Sequence, residues 1–133
     1  MNPINESGKK LETDLRNFLQ EKQIPFQQSG KGTDIGIDFK IHINNTTLWV
    51  ECANQNVEGS VIEKVPHKVF KYWKKYQMDK IILLRGNYNV FNKPILDHLK
   101  LIEDTCNIKV EIVSFDELKN ILQDSTPKKH NFF

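Results

Sequence analysis

The sequence lacks the residues and segments that several classes of protein require. Only two cysteines occur among 133 residues, and because Cys52 and Cys106 form no C-x-x-C pair, no structural zinc site is indicated. The four histidines are scattered without ligand spacing. No apolar run approaches the roughly 20 residues that span a bilayer, and the polar start of the chain has no signal-peptide pattern. We therefore expect a cytoplasmic protein without a membrane anchor.

Charge is nearly balanced overall but unevenly distributed. The formal net charge is +2, and the content of 38% hydrophobic and 27% charged residues is ordinary for a globular domain. Between residues 64 and 80 the only acid is Asp79, against Lys64, Lys68, Lys71, Lys74, Lys75, Lys80 and His67. A basic face of this kind is expected for a polyanion partner. A solvated helix face is the alternative explanation.

Hydrophobic periodicity predicts nine elements in the order α-β-β-β-α-β-α-β-α. Hairpin-linked strands come first and strands alternating with helices follow, which predicts an α/β fold: a mixed β-sheet flanked by helices on both faces. We expect one domain over residues 1–124 and a disordered tail over 125–133. The predicted helices cover residues 6–22, a segment opening at Ser60, 94–105 and 115–122; the predicted strands cover 26–28, 34–43, 47–52, 80–84 and 108–113.

Two carboxylates lie near the ends of strands joined by a hairpin. In residues 34–43 the apolar positions alternate strictly. The apolar residues at positions 35, 37, 39, 41 and 43 are therefore expected on one face of the strand, and Asp34 and Asp38 on the other. The next strand carries Glu51 near its end. Adjacent antiparallel strands can bring Asp38 and Glu51 within reach of one divalent ion, and such a pair prefers Mg²⁺ or Mn²⁺. The alternative is that both are merely solvent-facing strand residues.

The sequence around these acids resembles a known family. Residues 36–41 and 48–52 resemble the second and third motifs of the PD-(D/E)XK nuclease superfamily, in which an apolar strand with an Asp precedes one that ends in Glu-x-Lys. Residues 51–55 and 59–66 resemble the E-C-K-x-Q … G-S/T-x-x-E-K-x-P pattern of restriction-type members. The resemblance covers roughly residues 11–122. It implies the restriction-endonuclease-like fold and Mg²⁺-dependent hydrolysis of phosphodiester bonds in double-stranded DNA.

The resemblance also implies roles for individual residues. Asp38 and Glu51 would bind Mg²⁺ or Mn²⁺, and Gln55 would contact the water on the metal or the DNA backbone. Glu12 matches a helix glutamate that faces the metal site in family members, with a plain surface role as the alternative. Beside the site, four lysines at helical spacing are candidates to contact DNA phosphates: Lys64, Lys68, Lys71 and Lys75.

The main departure from the family pattern is Ala53, which stands where the motif has its lysine. A methyl group can neither orient the attacking water nor stabilise charge on the phosphate. Three explanations remain open: an introduced replacement, a natural inactive relative, or another cation in the role, with Lys64 as the candidate. The first two predict a chain that binds DNA but cuts it poorly, and in which Ala53→Lys restores cleavage.

Three functions follow as hypotheses. The first is a restriction-type endonuclease that acts as a homodimer, so that two sites address two strands. The second is a structure-specific nuclease resembling Holliday-junction resolvases, which have similar size and the same core motifs. The third is a non-catalytic DNA-binding subunit that retains the fold.

Overall fold

The computed structural model describes residues 3–30, 35–53, 64–86 and 91–125. Within them, four helices and five strands follow the predicted order. The helices are α1 (Pro3–Glu21), α2 (Val65–Tyr76), α3 (Lys93–Cys106) and α4 (Phe115–Ser125), and the strands are β1 (Phe26–Gln28), β2 (Phe39–Ile43), β3 (Thr46–Cys52), β4 (Lys80–Leu84) and β5 (Lys109–Val113).

The strands form one mixed sheet in the order β1-β2-β3-β4-β5. β1 pairs antiparallel with β2, and β2 pairs antiparallel with β3. β3, β4 and β5 are parallel, so α2 and α3 connect them across the sheet. The predicted α/β fold with a mixed sheet is confirmed.

Helices cover both faces of the sheet and bury two separate apolar layers. On one face, α2 and α3 pack against β4 residues Ile81 and Leu83. On the other, α1 and α4 pack against Ile82 and Leu84. Consecutive residues of β4 thus enter opposite layers, which is why this strand reads as a continuous apolar run. None of the helices in the described residues combines the length and apolar character needed to cross a bilayer.

Local sequence signals explain where the later helices begin. Ser114 and Glu117 form a capping box at α4: the Ser114 hydroxyl accepts from the Glu117 amide at 3.2 Å, and the Glu117 carboxylate accepts from the Ser114 amide at 2.8 Å. The Asn92 side chain caps α3 by accepting from the Ile95 amide at 3.2 Å. In α2, Pro66 stands in the first turn, where its missing N–H has no cost. The predicted cap at Ser60 lies outside the described residues.

The strand predicted over residues 34–43 is wrong at residues 35–38. β2 begins at Phe39, and Asp34 lies outside the described residues. Ile37 enters the layer under α2 and α3, whereas Phe39 and Ile41 enter the layer under α1. Two apolar residues spaced as in a strand therefore reach opposite layers, so the backbone leaves strand geometry at Asp38. Ser125, predicted in the tail, ends α4, and residues 126–133 lie outside the described residues.

Candidate active site

Asp38 and Glu51 face each other at the point where the ladder between β2 and β3 ends. The last paired residues are Phe39 and Val50. Beyond them, side chains replace the ladder: Glu51 Oε1 accepts from the Asp38 amide at 3.1 Å, and Asp38 Oδ2 accepts from the Cys52 amide at 2.8 Å. Each carboxylate thus binds a backbone amide beside the other, which fixes both side chains and leaves each with a second oxygen.

Two tyrosines of α2 hold the segment that leads into Asp38. The Gly36 amide donates to the Tyr76 hydroxyl at 2.8 Å, and the Tyr72 hydroxyl donates to the Gly36 carbonyl at 3.1 Å. A Cβ added at Gly36 would lie 3.8 Å from the Tyr76 hydroxyl, an ordinary van der Waals contact. Both polar groups of the Gly36 backbone are therefore tied to the helix that covers the site.

Burial raises the pKa of both carboxyl groups, and the charge of Asp38 raises that of Glu51 further. Glu51 is only 5% exposed. Its burial, together with the charge of Asp38, raises its pKa to about 7, against opposing contributions from the Asp38 amide, Lys68 and Tyr72. Burial also raises the pKa of Asp38, although the Cys52 amide, the charge of Lys68 and a hydrogen bond with Glu51 lower it. The pair therefore retains a proton more readily than two isolated acids would.

One cation of α2 reaches this pair. Lys68 Nζ lies 3.6 Å from Glu51 Oε2, with the lysine side chain 44% exposed and that of the glutamate 7%. Its charge acts on the pKa values of both Asp38 and Glu51 in the lowering direction. The sequence predicted Lys68 only as a residue that contacts DNA phosphates. The structure places it in the site itself.

The other residues predicted for the site have different surroundings. Ala53 is buried in the apolar layer under α2, 7% exposed. Lys64 is the exposed residue just before α2, and Lys71 is exposed on its surface. Lys75 is also exposed, and its ammonium lies 5.2 Å from the centre of the Tyr76 ring. Gln55 lies outside the described residues.

Glu12 approaches from the opposite face of the sheet. It is half-buried on α1, which packs against the layer that contains Cys52. The pKa of the Cys52 thiol is raised well above its ordinary value by burial and by the charges of Asp38, Glu12 and Glu51. Glu12 is thus within electrostatic range of the strand end that carries Glu51.

Aromatic rings near the site are used in packing. Tyr72 is buried in the layer under α2, and Trp73 packs against that layer. The Tyr76 ring stacks on Trp49 with centroids 4.7 Å apart. The Lys40 ammonium lies 5.1 Å from the centre of the Trp49 ring. Because neighbouring groups already cover these rings, the interpretation of the α2 aromatics as packing residues agrees with the structure better than base stacking does.

The donor set fits a hard divalent cation. The buried Glu51 and the half-buried Asp38 repel each other when both are ionised, and a cation between them would offset that repulsion and their lost hydration. Mg²⁺ is commonly held by one or two carboxylates and completes its shell with water and substrate phosphates. Among the described residues, no group of three or more His, Cys, Asp and Glu side chains could hold a metal ion.

Comparison with known families assigns the fold. A sequence model described as the PD-(D/E)XK nuclease superfamily domain matches residues 4–122. The chain belongs to the PD-(D/E)XK nuclease superfamily. This nuclease domain covers all five strands, and the resemblance seen in the motifs around Asp38 and Glu51 is confirmed at the level of the family. No curated protein matches the chain.

Sequence reasoning placed lysines of α2 beside the candidate site but missed the contacts that this helix makes with Glu51 and Gly36. Lys68, Tyr72 and Tyr76 recur at four-residue intervals and so share one helix face. They contact Glu51 and Gly36. The spacing was visible in the sequence, but the position of that face relative to the sheet was not.

The raised pKa of Glu51 predicts how stability depends on pH in the absence of metal. The ordinary value is 4.5 and the folded value is about 7, so the folded state holds this proton more tightly than the unfolded state. Stability should therefore decrease as the pH rises from about 4.5 to about 7 and then level off. Glu51→Gln should remove this contribution and stabilise the metal-free protein at pH 8 by an amount on the order of 2 kcal/mol.

Urea unfolding in the presence of EDTA from pH 5 to pH 8 measures this difference. Glu21→Gln, which removes an exposed carboxyl group of α1, is the matched control and should follow the parent protein. Parallel stability profiles for Glu51→Gln and the parent would contradict the assignment.

Proposed function

We propose that the protein is a divalent-metal-dependent endonuclease that hydrolyses phosphodiester bonds in duplex DNA. The observation that carries the proposal is the carboxylate pair of the half-buried Asp38 and the buried Glu51, each fixed by a backbone amide where the pairing of β2 with β3 ends. Family membership supports a nuclease activity, and the two-carboxylate donor set supports Mg²⁺ or Mn²⁺ as the cofactor.

The residues of the site would bind and orient the reactants. Asp38 and Glu51 would hold the cation, which when bound supplies charge stabilisation to a phosphate and lowers the pKa of water. In the reaction, the oxygen of a water molecule forms a bond to phosphorus while the bond from phosphorus to one ester oxygen breaks. One proton of the water is transferred, through solvent, to the departing oxygen. Tyr72 and Tyr76 would keep the Asp38 carboxylate in position by hydrogen bonds to the backbone of Gly36.

Lysines of α2 supply the proposed DNA surface. Lys71 and Lys75 are exposed on the helix, and Lys64 is exposed immediately before it. All three lie at helical spacing with Lys68, which contacts Glu51. A duplex whose backbone follows this stripe would bring phosphates to the carboxylate pair, as contacts to the backbone position a duplex without reading its sequence.

Within the nuclease class we favour a restriction-type enzyme acting on linear duplex, with two copies of the chain addressing two strands. The sequence pattern around Glu51 carries this preference. A junction-resolving nuclease and a non-catalytic DNA-binding subunit are the competing functions. Light scattering measures the expected dimer, and cleavage of four-way junctions compared with linear duplex separates the first two functions.

Metal binding tests the carboxylate pair directly. Calorimetric titration with Mn²⁺ should show one site per chain, and the double variant Asp38→Ala, Glu51→Ala should abolish that binding because it removes both carboxylate ligands. Binding to the parent should weaken below about pH 7, because Glu51 must lose its proton to bind metal.

The matched control is the double variant Asp97→Ala, Asp104→Ala, which removes two exposed carboxylates of α3 that pair with lysines. It should bind Mn²⁺ as the parent does. Equal affinity in the Asp38/Glu51 double variant and the parent would rule out the proposed metal site.

The DNA surface predicts a change in salt dependence. Replacing Lys64, Lys71 and Lys75 with alanine should weaken binding to all duplex sequences, because phosphate contacts do not read bases. The slope of log K against log salt should decrease in magnitude by about 0.9 for each lysine that no longer binds a phosphate. Replacement of Lys93, Lys100 and Lys119 removes the same charge elsewhere. If both triple variants give the same slope, the α2 lysines are only a solvated face.

A further inference from the structure

We propose that Lys68 supplies the positive charge that the family motif places at position 53. The proposal rests on the proposed nuclease function and names a further residue of that site. It predicts that the chain cleaves DNA with Ala53 in place, in contrast to the expectation that cleavage is impaired. It also replaces Lys64, the compensating residue suggested by the sequence.

Ala53 is surrounded by the apolar layer under α2. This residue lies two positions after Glu51, so both side chains are on the same face of the sheet. Its methyl group is buried in the layer that includes Val65 and Val69 of α2, and its amide donates to the Leu84 carbonyl at 2.7 Å. Apolar packing fills this position, so in this chain a cation for the site has to come from another element.

Lys68 extends from α2 to the carboxylate of Glu51. Its ammonium lies 3.6 Å from Glu51 Oε2, and its side chain is 44% exposed. Charge-assisted hydrogen bonds are typically shorter, about 2.7–2.9 Å. The ammonium group has three donors, so this long contact with one carboxylate oxygen leaves it donors for an incoming phosphate oxygen. Lys68 thus adjoins the carboxylates and is open to solvent at the same time.

Lys68 differs from Lys64 in its position on α2 and in the residues that share its helix face. Lys64 stands one turn earlier, before the helix begins, and is exposed. Lys68 shares its helix face with Tyr72 and Tyr76, which bind Gly36 beside Asp38. The same face of α2 therefore holds the Asp38 segment and presents a cation to Glu51.

The charges also fit an anionic substrate. Asp38 and Glu51 as carboxylates balance one divalent cation, so without Lys68 the loaded site would have no net charge. Lys68 leaves a single positive charge beside a phosphodiester, which carries a single negative charge. In the transition state negative charge increases on the phosphate oxygens, and a preorganised donor stabilises that charge more than the ground state. Lys68 donates hydrogen bonds in this role and transfers no proton.

Single-turnover cleavage of duplex DNA with Mn²⁺ tests the proposal. Lys68→Ala should reduce the rate about 10²- to 10³-fold, the usual loss for one such donor, and Lys68→Arg should recover part of it. Lys100→Ala removes an exposed lysine of α3, outside the proposed DNA surface, and should cleave as the parent does. Mn²⁺ affinity in Lys68→Ala should be retained or increased, since a positive charge beside the ligands is removed.

DNA binding without metal gives a second readout that does not depend on activity. If Lys68 contacts a phosphate, the salt slope of Lys68→Ala should be smaller than that of the parent by about 0.9. A lysine that only orients Glu51 would leave the slope unchanged and would reduce metal affinity instead. That pair of results would overturn the proposal.

Two further variants separate this proposal from the proposed function. If the parent and Lys68→Ala cleave equally while the Asp38/Glu51 double variant does not cleave, the role of Lys68 is refuted and the nuclease function stands. If only Ala53→Lys cleaves, the same conclusion follows, because the motif lysine is then required. If neither the parent nor Ala53→Lys cleaves duplex, junction or flap DNA, both proposals fail and a non-catalytic role takes their place.

Discussion

The site depends on an exchange of hydrogen bonds at the end of one β-ladder. Past Phe39 and Val50, the backbone amides of Asp38 and Cys52 are bound by carboxylate side chains. Because of this arrangement β2 begins at Phe39, two residues short of the end of its partner strand β3, and Ile37 lies in the opposite layer. It also brings two acids together, where lost hydration raises the pKa of both, and the charge of Asp38 raises that of Glu51 further. A divalent cation bound between them would offset both effects.

Helix α2 forms the second half of the site. Its apolar face, with Val65 and Val69, covers the sheet and surrounds Ala53. The same side of the helix carries Tyr72 and Tyr76 to Gly36, and Lys68 at its edge reaches Glu51. Lys71 and Lys75 are exposed to solvent beyond that edge. Because one rigid helix carries the packing residues, Lys68 and the exposed lysines, core packing sets where the Lys68 ammonium lies relative to Asp38 and Glu51. The departure from the family motif at Ala53 therefore has a structural counterpart in Lys68.

Much of the fold could be predicted from the sequence because its signals are local. Strands β1 and β4 have the predicted bounds, and the capping box at Ser114 and Glu117 marks the start of α4. The wrong prediction of a strand at residues 35–38 has a different origin. Strict alternation of isoleucines predicts one strand, but the hydrogen bonds that end the strand come from Glu51 and from α2, both distant in the sequence. Tertiary contacts overrode a local pattern.

The candidate site was predictable in part for the same reason. Asp38 and Glu51 are adjacent because a hairpin joins their strands. Its turn is formed by Asn44 and Asn45, which both have positive φ, and asparagine is favoured at such turn positions. The choice between Lys64 and Lys68 was not readable. It depends on where α2 begins and on how the helix is rotated about its axis over the sheet, which Val65 and Val69 determine by packing.

The central claim is that Asp38 and Glu51 together bind one divalent cation. Crystals soaked in Mn²⁺ and measured by anomalous scattering would test it most directly. The account predicts a single strong peak within about 2.3 Å of a carboxylate oxygen from each residue, with water completing the shell. A peak bound by other residues, or full Mn²⁺ occupancy elsewhere with none between Asp38 and Glu51, would contradict it.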